Sequence, residues 1–235
     1  MNNSHTTKVI LMTLSLAAIS CIPATSNAGL SSWASEVHTF AKGFLRSRKN
    51  VGAIFPCSHK VGEELARYFD EHKGKRRILE VGAGTGSVST VIVEKMHDGD
   101  VLDMVELDSG FCDVLNERFA DVKNASVNCC SILDWHPKHK YDLVVCTLPF
   151  VSFEAPFVEA VLKHIMRLTK RGGHMAHVEF IILPTLNDLA LFGEKHKKFT
   201  ESHAVVNDFL DSFGFDSHVV WRNLPMPIRI YHSKL

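Results

Sequence analysis

From residue 76 onward, short runs of β-forming residues alternate with stretches of helical periodicity. The runs rich in Val, Ile, Leu and aromatic residues predict strands at 77–81, 101–107, 125–132, 141–148 and 174–183. Between and after them lie helical patterns, at 87–97, 109–119, 154–170 and about 186–212. Strands that alternate with helices in this way form parallel sheets that are covered by helices on both faces. The pattern predicts a doubly wound α/β fold.

Two further strand-like runs close the chain, HVVWRNL at 218–224 and PIRIYH at 227–232. Their connection is too short for a crossover, so we expect these two strands to pair antiparallel. The sheet should therefore have seven mostly parallel strands with an antiparallel last strand. A helical period also covers 57–72, and no repeat or linker interrupts the remainder. We treat 51–235 as one Rossmann-like domain.

The N-terminal 28 residues resemble a leader sequence. An uncharged, mostly apolar run at 9–24 follows Lys8, and Ser26 and Ala28 stand as in an A-x-A-like cleavage site. The run is shorter than the roughly 20 residues that a membrane span requires. Residues 1–28 are therefore interpreted either as a cleaved signal peptide or as a retained anchor, and the sequence leaves both open.

Residues 29–50 contain a second N-terminal feature, an amphipathic and basic helical pattern. Trp33, Val37, Phe40 and Phe44 recur at steps of four, three and four, and basic residues such as Lys42 occupy the opposite face. Such a stripe is typical of a helix that lies on an anionic membrane surface. The alternative is a helix that covers the core of its own domain. We expect residues 31–49 to contact the membrane.

Charge and cysteine content bear on the partners and the cellular compartment of the protein. The chain has 235 residues, and its 26 Lys and Arg balance 26 Asp and Glu, so the formal net charge is zero. A protein that neutralises many nucleic-acid phosphates usually has a basic surplus, and nucleic acid is disfavoured as a partner. The six cysteines form no C-x-x-C pair, and five remain if the leader is removed. We interpret them as reduced thiols, which favours the cytoplasm.

The sharpest motif is ILEVGAGTG at 78–86, in which a strand containing Glu80 leads into Gly82, Gly84 and Gly86. Glycines here allow a tight turn and close approach of a ligand to the backbone. The spacing E-x-G-x-G-x-G differs from the dinucleotide fingerprint, and Glu80 would repel a pyrophosphate but attract an amino group. Glu106 lies 20 residues beyond Gly86, where a carboxylate can bind ribose hydroxyls. Together these residues predict a site for S-adenosylmethionine.

These motifs, with V-E-L-D at 105–108 and a strand that ends in CTLPF, resemble the class I S-adenosylmethionine-dependent methyltransferases. Within that superfamily the chain resembles bacterial phospholipid N-methyltransferases, which are related to the rRNA adenine dimethyltransferases. Three stretches carry this resemblance: VGAIFPCSHKVGEEL (51–65), LPFVSF (148–153) and WRNLPMPIRIY (221–231). The resemblance implies methyl transfer to the amino headgroup of a phospholipid such as phosphatidylethanolamine.

The resemblance also implies which residues contact the cofactor. In addition to the glycines and Glu80, these are Glu106, Leu107 and Ser131. Relatives have G-D-A after the third strand, with the Asp on the adenine, whereas this chain has Cys130, Ser131 and Ile132. Ser131 is expected to be a weaker adenine contact.

The end of the fourth strand should form the wall of the acceptor pocket, because ligands bind beyond the carboxyl ends of strands. We assign Thr147 and Phe150 to this wall, where Phe150 can stabilise a methylated ammonium by a cation–π contact. Its alternative role is a core aromatic. Catalysis should come mainly from alignment of donor and acceptor, and the sequence nominates no base.

Two other functions remain open. Enzymes that methylate an exocyclic adenine nitrogen commonly carry N-[LIV]-P-[FY], whereas the first position here is Thr147. The other alternative is a non-catalytic lipid-binding protein that keeps the fold. His174 and His177 do not predict a metal site, because residues three apart on a strand point to opposite faces. We expect a membrane-associated enzyme on the cytoplasmic face, with export through a cleaved signal peptide as the alternative.

Overall fold

A computed structural model describes residues 57–181, 194–221, 223 and 227–235. The predicted leader (1–28), the predicted amphipathic segment (29–50) and the predicted start of the main domain at residue 51 lie outside these residues. The α-helices in the described ranges are α1 His59–Leu65, α2 Ser87–Glu94, α3 Ser109–Arg118, α4 Ala155–Leu168 and α5 Glu194–Phe213. The strands are β1 Arg77–Val81, β2 Val101–Glu106, β3 Ala125–Cys129, β4 Tyr141–Cys146, β5 Thr169–Phe180, β6 Gly214–Val220 and β7 Ile228–Lys234.

The strands form one seven-stranded sheet in the order β3-β2-β1-β4-β5-β7-β6. Strands β1 to β5 pair parallel with one another, whereas β7 pairs antiparallel with both β5 and β6. This confirms the predicted α/β class, the seven strands and the antiparallel end of the sheet. The mixed order follows from the short connection between β6 and β7, which cannot make a parallel crossover.

The central strands are buried on both faces, as expected for a parallel sheet. Residues 78–81 of β1 and 143–146 of β4 are all buried. Ile78 packs in the core cluster with Val61 and Leu65 of α1 and with Ile92 of α2. The intervening residues of each strand point to the other face, which places α1 and α2 on the side of Ile78.

Several predicted boundaries differ from the structure. The helical period at 57–72 is divided into α1 and a short 3-10 helix, Phe69–Glu71. Strand β5 begins at Thr169, directly after α4, and not at 174 as predicted. Strand β3 ends at Cys129, and a 3-10 helix, Ile132–Asp134, begins at the last residue of the predicted strand. Periodicity fixes the presence of an element better than its ends, where tertiary contacts decide.

The amino-terminal edge of the sheet contains a buried ion pair. Arg76 precedes β1 and Asp100 precedes β2, and both side chains are buried. Arg76 Nε donates to Asp100 Oδ2 at 2.8 Å, and the Arg76 backbone N–H donates to Asp100 Oδ1 at 2.7 Å. The remaining guanidinium N–H groups reach the carbonyl oxygens of Phe69 and Lys95. This charge pair is fully hydrogen-bonded, as burial of charges requires.

Among the described helices, none has the length and apolar composition that crossing a membrane requires.

Candidate active site

The predicted site residues follow strands whose carboxyl ends lie at one edge of the sheet, because β1, β2, β4 and β5 are parallel. The loops at this edge are tied to each other. Gly82 N–H donates to Val105 O at 2.8 Å, and Thr147 N–H donates to Val81 O at 3.0 Å. Open α/β sheets bind ligands in the crevice beyond these ends. The structure thus brings the glycine turn, Glu106 and Thr147 together.

Gly84 and Gly86 both have positive φ, +58° and +84°, but they face different surroundings. A Cβ at Gly86 would lie 2.7 Å from Phe119 Cε2, so this glycine is required for packing. A Cβ at Gly84 would meet only the Gly82 carbonyl oxygen, at 3.9 Å. The space beside Gly84 is therefore open to a ligand that approaches the backbone closely.

Glu80 is completely buried within β1. Neither carboxylate oxygen makes a regular hydrogen bond within the described residues. Burial raises the pKa of Glu80 to about 8, with a smaller contribution from the charge of Glu106, and nearby Ser89 lowers it in part. The side chain is mainly a neutral acid at pH 7, which makes its burial tolerable. An approaching cation would favour the ionised form.

Glu106 ends β2 with its carboxylate turned toward the backbone of the glycine turn. Its Oε2 accepts from Gly84 N–H at 2.8 Å, and its Oε1 accepts from the N–H groups of Leu107 and Asp108 at 2.8 and 2.9 Å. A carboxylate has about four acceptor positions, so it can also accept from hydroxyl donors. Leu107 contributes its backbone N–H to this arrangement.

Ser131 lies two residues beyond the end of β3, at the same edge as Glu106. Strand pairing places Glu106 beside Cys129. The Ser131 hydroxyl oxygen accepts from Leu133 N–H at 3.2 Å and caps the 3-10 helix there. With its oxygen occupied in this way, Ser131 keeps a hydroxyl hydrogen that it can donate.

A disulfide joins Cys112 of α3 to Cys129 of β3, with a Cα–Cα distance of 5.9 Å. The interpretation of all six cysteines as reduced thiols is therefore wrong for this pair. Cys129 is also exposed. Cysteine spacing did not indicate the pair, because α3 and β3 meet only in the folded sheet. Oxidation of this pair removes the cysteine-based support for the cytoplasm.

Beyond β4, Thr147 faces the glycine turn: its hydroxyl donates to Gly82 O at 2.6 Å. Phe150 begins a 3-10 helix, Phe150–Ser152, and its ring is buried. The Phe150 ring lies 5.6 Å from the ring of His177, measured between centroids. Of the two predicted wall residues, Thr147 thus supports the turn, whereas Phe150 lines a crevice.

That crevice contains two residues that sequence reasoning missed, His177 and Glu179 of β5. It is a small crevice that is also lined by Phe150 and by Val206 of α5. The available signal was the alternation H-V-E at 177–179, which places both polar side chains on one face of the strand. His174 points to the other side, toward Tyr68 and Phe69. The described residues include no group of three or more His, Cys, Asp or Glu suited to a metal ion.

Comparison with known proteins agrees with this geometry. Residues 78–173 match a family model described as a methyltransferase domain. The chain is 34% identical over 120 residues to the ornithine lipid N-methyltransferase of Singulisphaera acidiphila, covering 48% of this chain and 62% of that protein. It is 30% identical over 101 residues to the tRNA1(Val) (adenine(37)-N6)-methyltransferase of an Enterobacter species, covering 40% and 41%. The chain thus spans less than two thirds of these two relatives.

Solved structures share the fold. One is the N-methyltransferase NodS from Bradyrhizobium japonicum in complex with S-adenosyl-L-homocysteine, with a TM-score of 0.55 and 13% identity, covering 74% of this chain and 85% of that one. TrmN from Thermus thermophilus has a TM-score of 0.55 and 14% identity, covering 75% and 49%.

The residues present fit the predicted cofactor. Gly84 leaves room beside the backbone, buried Glu80 has no regular hydrogen bond within the described residues, and Glu106 can accept from hydroxyls. These features suit the amino group and the ribose of a nucleoside that carries an amino-acid group and no phosphates. Residues 78–173 match a methyltransferase domain, and the cofactor is S-adenosylmethionine.

Proposed function

We propose that the chain transfers methyl groups from S-adenosylmethionine to the amino headgroup of a phospholipid, with phosphatidylethanolamine as the acceptor. The observation that carries this proposal is the apolar crevice beside Phe150, which also contains the carboxylate of Glu179. An aromatic ring and a carboxylate suit a cationic amine. The similarity to a lipid N-methyltransferase supports the same class of acceptor.

Adenine methylation is the second candidate, favoured by the similarity to a tRNA adenine methyltransferase. Two observations oppose it. Thr147 stands where such enzymes carry Asn, and its hydroxyl already donates to Gly82 O. The net charge of zero also gives no overall basic surplus for RNA. A non-catalytic lipid-binding protein is opposed by Gly84 and Glu80, which keep the features of a cofactor site.

We also propose that residues 31–49 attach the protein to an anionic membrane surface, on the cytoplasmic side of that membrane. Trp221 supports a membrane-facing surface at the same edge as the site. It follows β6, which is parallel to β5, and its side chain is 68% exposed. Tryptophan is favoured at the interface between lipid and water. Export through a cleaved signal peptide is the alternative, and sequencing the N-terminus of the mature chain distinguishes the two.

The acceptor is tested with the purified full chain and methyl-labelled S-adenosylmethionine, offered either phosphatidylethanolamine vesicles or total RNA. We expect label in the lipid fraction. Label in RNA alone would refute the lipid proposal in favour of adenine methylation. Lipid extraction after expression in a host that lacks methylated lipids checks the result in cells.

Membrane contact is tested by charge reversal at Lys42, Arg46 and Lys49 in the full chain. We expect less protein to sediment with anionic vesicles, because the cationic face loses its attraction to the headgroups. Unchanged sedimentation would assign this segment to its own domain instead.

A further inference from the structure

A polar cluster lies on the α5 side of the sheet, at the carboxyl ends of β5 and β6. His177 of β5 pairs with Tyr231 of β7, and their rings stack with centroids 5.2 Å apart. Glu179, two residues along β5, accepts from the Tyr231 hydroxyl at 2.8 Å. His203 of α5 approaches the same carboxylate, with Nδ1 3.2 Å from Oε1. Glu179 is therefore held in place, whereas His177 makes ring contacts but no hydrogen bond with the described residues.

His177 is 1% exposed, and neither of its ring nitrogens has a hydrogen-bond partner in the described part of the chain. Buried polar groups are normally paired, and an unpaired one costs about 1–3 kcal/mol. Of the other buried histidines, His164 bonds to the Trp135 carbonyl and His174 to His72, whereas His232 Nε2 also lacks a partner within the described residues but lies on the α1 side of the sheet. His177 differs from all three because both of its nitrogens are unpaired. An imidazole left unpaired beside a crevice indicates a partner from outside the protein.

The crevice connects this imidazole to the predicted acceptor wall. Phe150 contacts His177, and Phe150 lies three residues after Thr147, which hydrogen-bonds the glycine turn. The side chains of Phe150, His177 and Glu179 thus line one space next to the cofactor edge. This combination provides an aromatic face, a neutral acceptor and a negative charge.

We propose that His177 accepts a hydrogen bond from an N–H of the amine that is methylated, and that Glu179 attracts this amine as a cation and takes its proton. This inference rests on the proposed function. Burial lowers the pKa of His177 to about 3, helped by the charge of His232, so the imidazole is neutral at pH 7. A neutral acceptor can orient an amine beside a sulfonium without adding a repelling positive charge.

The chemistry balances with these two residues. The ammonium loses one proton to the Glu179 carboxylate, which is partly exposed and can pass it to water. The amine nitrogen then forms a bond to the methyl carbon, the carbon–sulfur bond breaks, and its electron pair stays on sulfur. The positive charge moves from sulfur to the methylated nitrogen. His177 fixes the direction of the lone pair by holding an N–H of the same nitrogen.

The test compares His177→Leu and His177→Gln with wild type in the vesicle assay with phosphatidylethanolamine. We expect His177→Leu to lower kcat about 100-fold, the order of loss that misplacement of a reacting group causes. His177→Gln, which keeps an acceptor oxygen, should recover at least about tenfold of this loss. The affinity for S-adenosylmethionine should not change in either variant. Glu179→Gln should raise the KM for lipid about tenfold, because it removes the attraction for the cation, and should also lower kcat about 100-fold, because it removes the group that takes the proton.

His232→Leu is the matched control. His232 is also buried, on the neighbouring strand β7, but it lies on the α1 side of the sheet, away from Phe150. We expect its kcat to stay within about threefold of wild type, since surface or core changes away from the site act mainly on stability. An equal loss in His232→Leu and His177→Leu would assign both to packing.

A second readout does not depend on turnover. In the protein with isotope-labelled histidine, ethanolamine should shift the His177 imidazole signals, which are identified by their absence in His177→Gln. No shift, or full activity of His177→Leu in a chain that methylates lipid, overturns this inference alone and leaves the proposed function standing. A wild-type chain that methylates RNA and no amine lipid overturns both. If His177→Leu does not fold, His177→Gln and the ethanolamine shift decide.

Discussion

Two buried carboxylates, Asp100 at the amino edge of the sheet and Glu80 at the carboxyl edge, differ in their hydrogen bonding and in the direction of their pKa shift. At the amino edge, Asp100 is surrounded by donors from Arg76 and His97. Burial alone would raise its pKa, but these hydrogen bonds outweigh burial and the pKa is lowered. At the carboxyl edge, Glu80 is equally buried without a regular hydrogen bond, and burial raises its pKa to about 8.

This difference in pairing is what we expect if Asp100 is a structural charge and Glu80 a ligand-binding one. A paired buried charge needs nothing more, and removing its partner leaves an uncompensated ion. An unpaired buried acid is costly to the fold, and its charged form becomes favourable only when a cation arrives. His177 also has no hydrogen-bond partner within the described residues, whereas Glu106 at the same edge accepts three backbone hydrogen bonds. Incomplete pairing is thus a property of Glu80 and His177 and not of the whole edge.

The largest expected effect is at the amino edge. Asp100→Asn leaves Arg76 buried without its counter-charge, and we expect the free energy of unfolding to fall by about 3–5 kcal/mol. Denaturant unfolding measures this loss. The affinity of the remaining folded protein for S-adenosylmethionine should not change. A loss under 1 kcal/mol would contradict the structural role of the pair.

Glu80→Gln should have the opposite profile. We expect the affinity for S-adenosylmethionine to fall about 10- to 100-fold, corresponding to about 1.5–3 kcal/mol for a hydrogen bond to a charged group. Calorimetry measures this change. The fold should not be weakened at pH 8, because the variant removes the cost of ionising a buried acid. Unchanged affinity would mean that Glu80 does not meet the cofactor.

Two glycines of the turn, Gly84 and Gly86, allow a comparison between ligand space and packing within the carboxyl edge. Gly86→Ala forces a Cβ against Phe119, and Gly84→Ala places one in open space, while both strain a residue with positive φ. We expect Gly86→Ala to cost more stability, by roughly 1–3 kcal/mol in excess of Gly84→Ala. Gly84→Ala, and still more Gly84→Val, should lose cofactor affinity while folded. Equal effects on stability and affinity would contradict this division of roles.

The smallest expected effect is the release of a proton from Glu80 when the cofactor binds. The folded pKa of Glu80 is above its unfolded value, so the folded state holds the extra proton between about pH 4.5 and 8, and Glu80 weakens the fold as the pH rises through that window. Binding of a cationic cofactor should release this proton, on the order of one per site at pH 7, and affinity should rise with pH up to about 8. Calorimetry in buffers of different ionisation enthalpy measures the release.

Glu80→Gln should abolish the proton release. Wild type and the destabilised Asp100→Asn should release the same number of protons. Asp100 is already ionised before the cofactor binds, so it contributes no proton to the release. Release that persists in Glu80→Gln would assign the proton to another group.

The positions of the candidate cofactor residues follow from the sequence more directly than those of the candidate acceptor residues. Gly84 and Glu80 lie in one short strand and turn, and Glu106 ends the next strand, so local order and strand alternation are sufficient to place them at one edge. Phe150 was predicted for its position after β4. The role of Thr147 differed, because its contact with Gly82 joins residues 65 positions apart. His177 was considered only as a metal ligand.

What the sequence alone determined is therefore the periodic and local part: the alternation of strands and helices, the antiparallel end of the sheet, and the glycine turn with its acidic residues. Only the tertiary structure decided that Cys112 and Cys129 form a disulfide, that Asp100 is paired while Glu80 is not, and that His177 shares a crevice with Phe150. The physical reason is that pairing depends on contacts between distant segments, whereas backbone preference and periodicity are written in neighbouring residues.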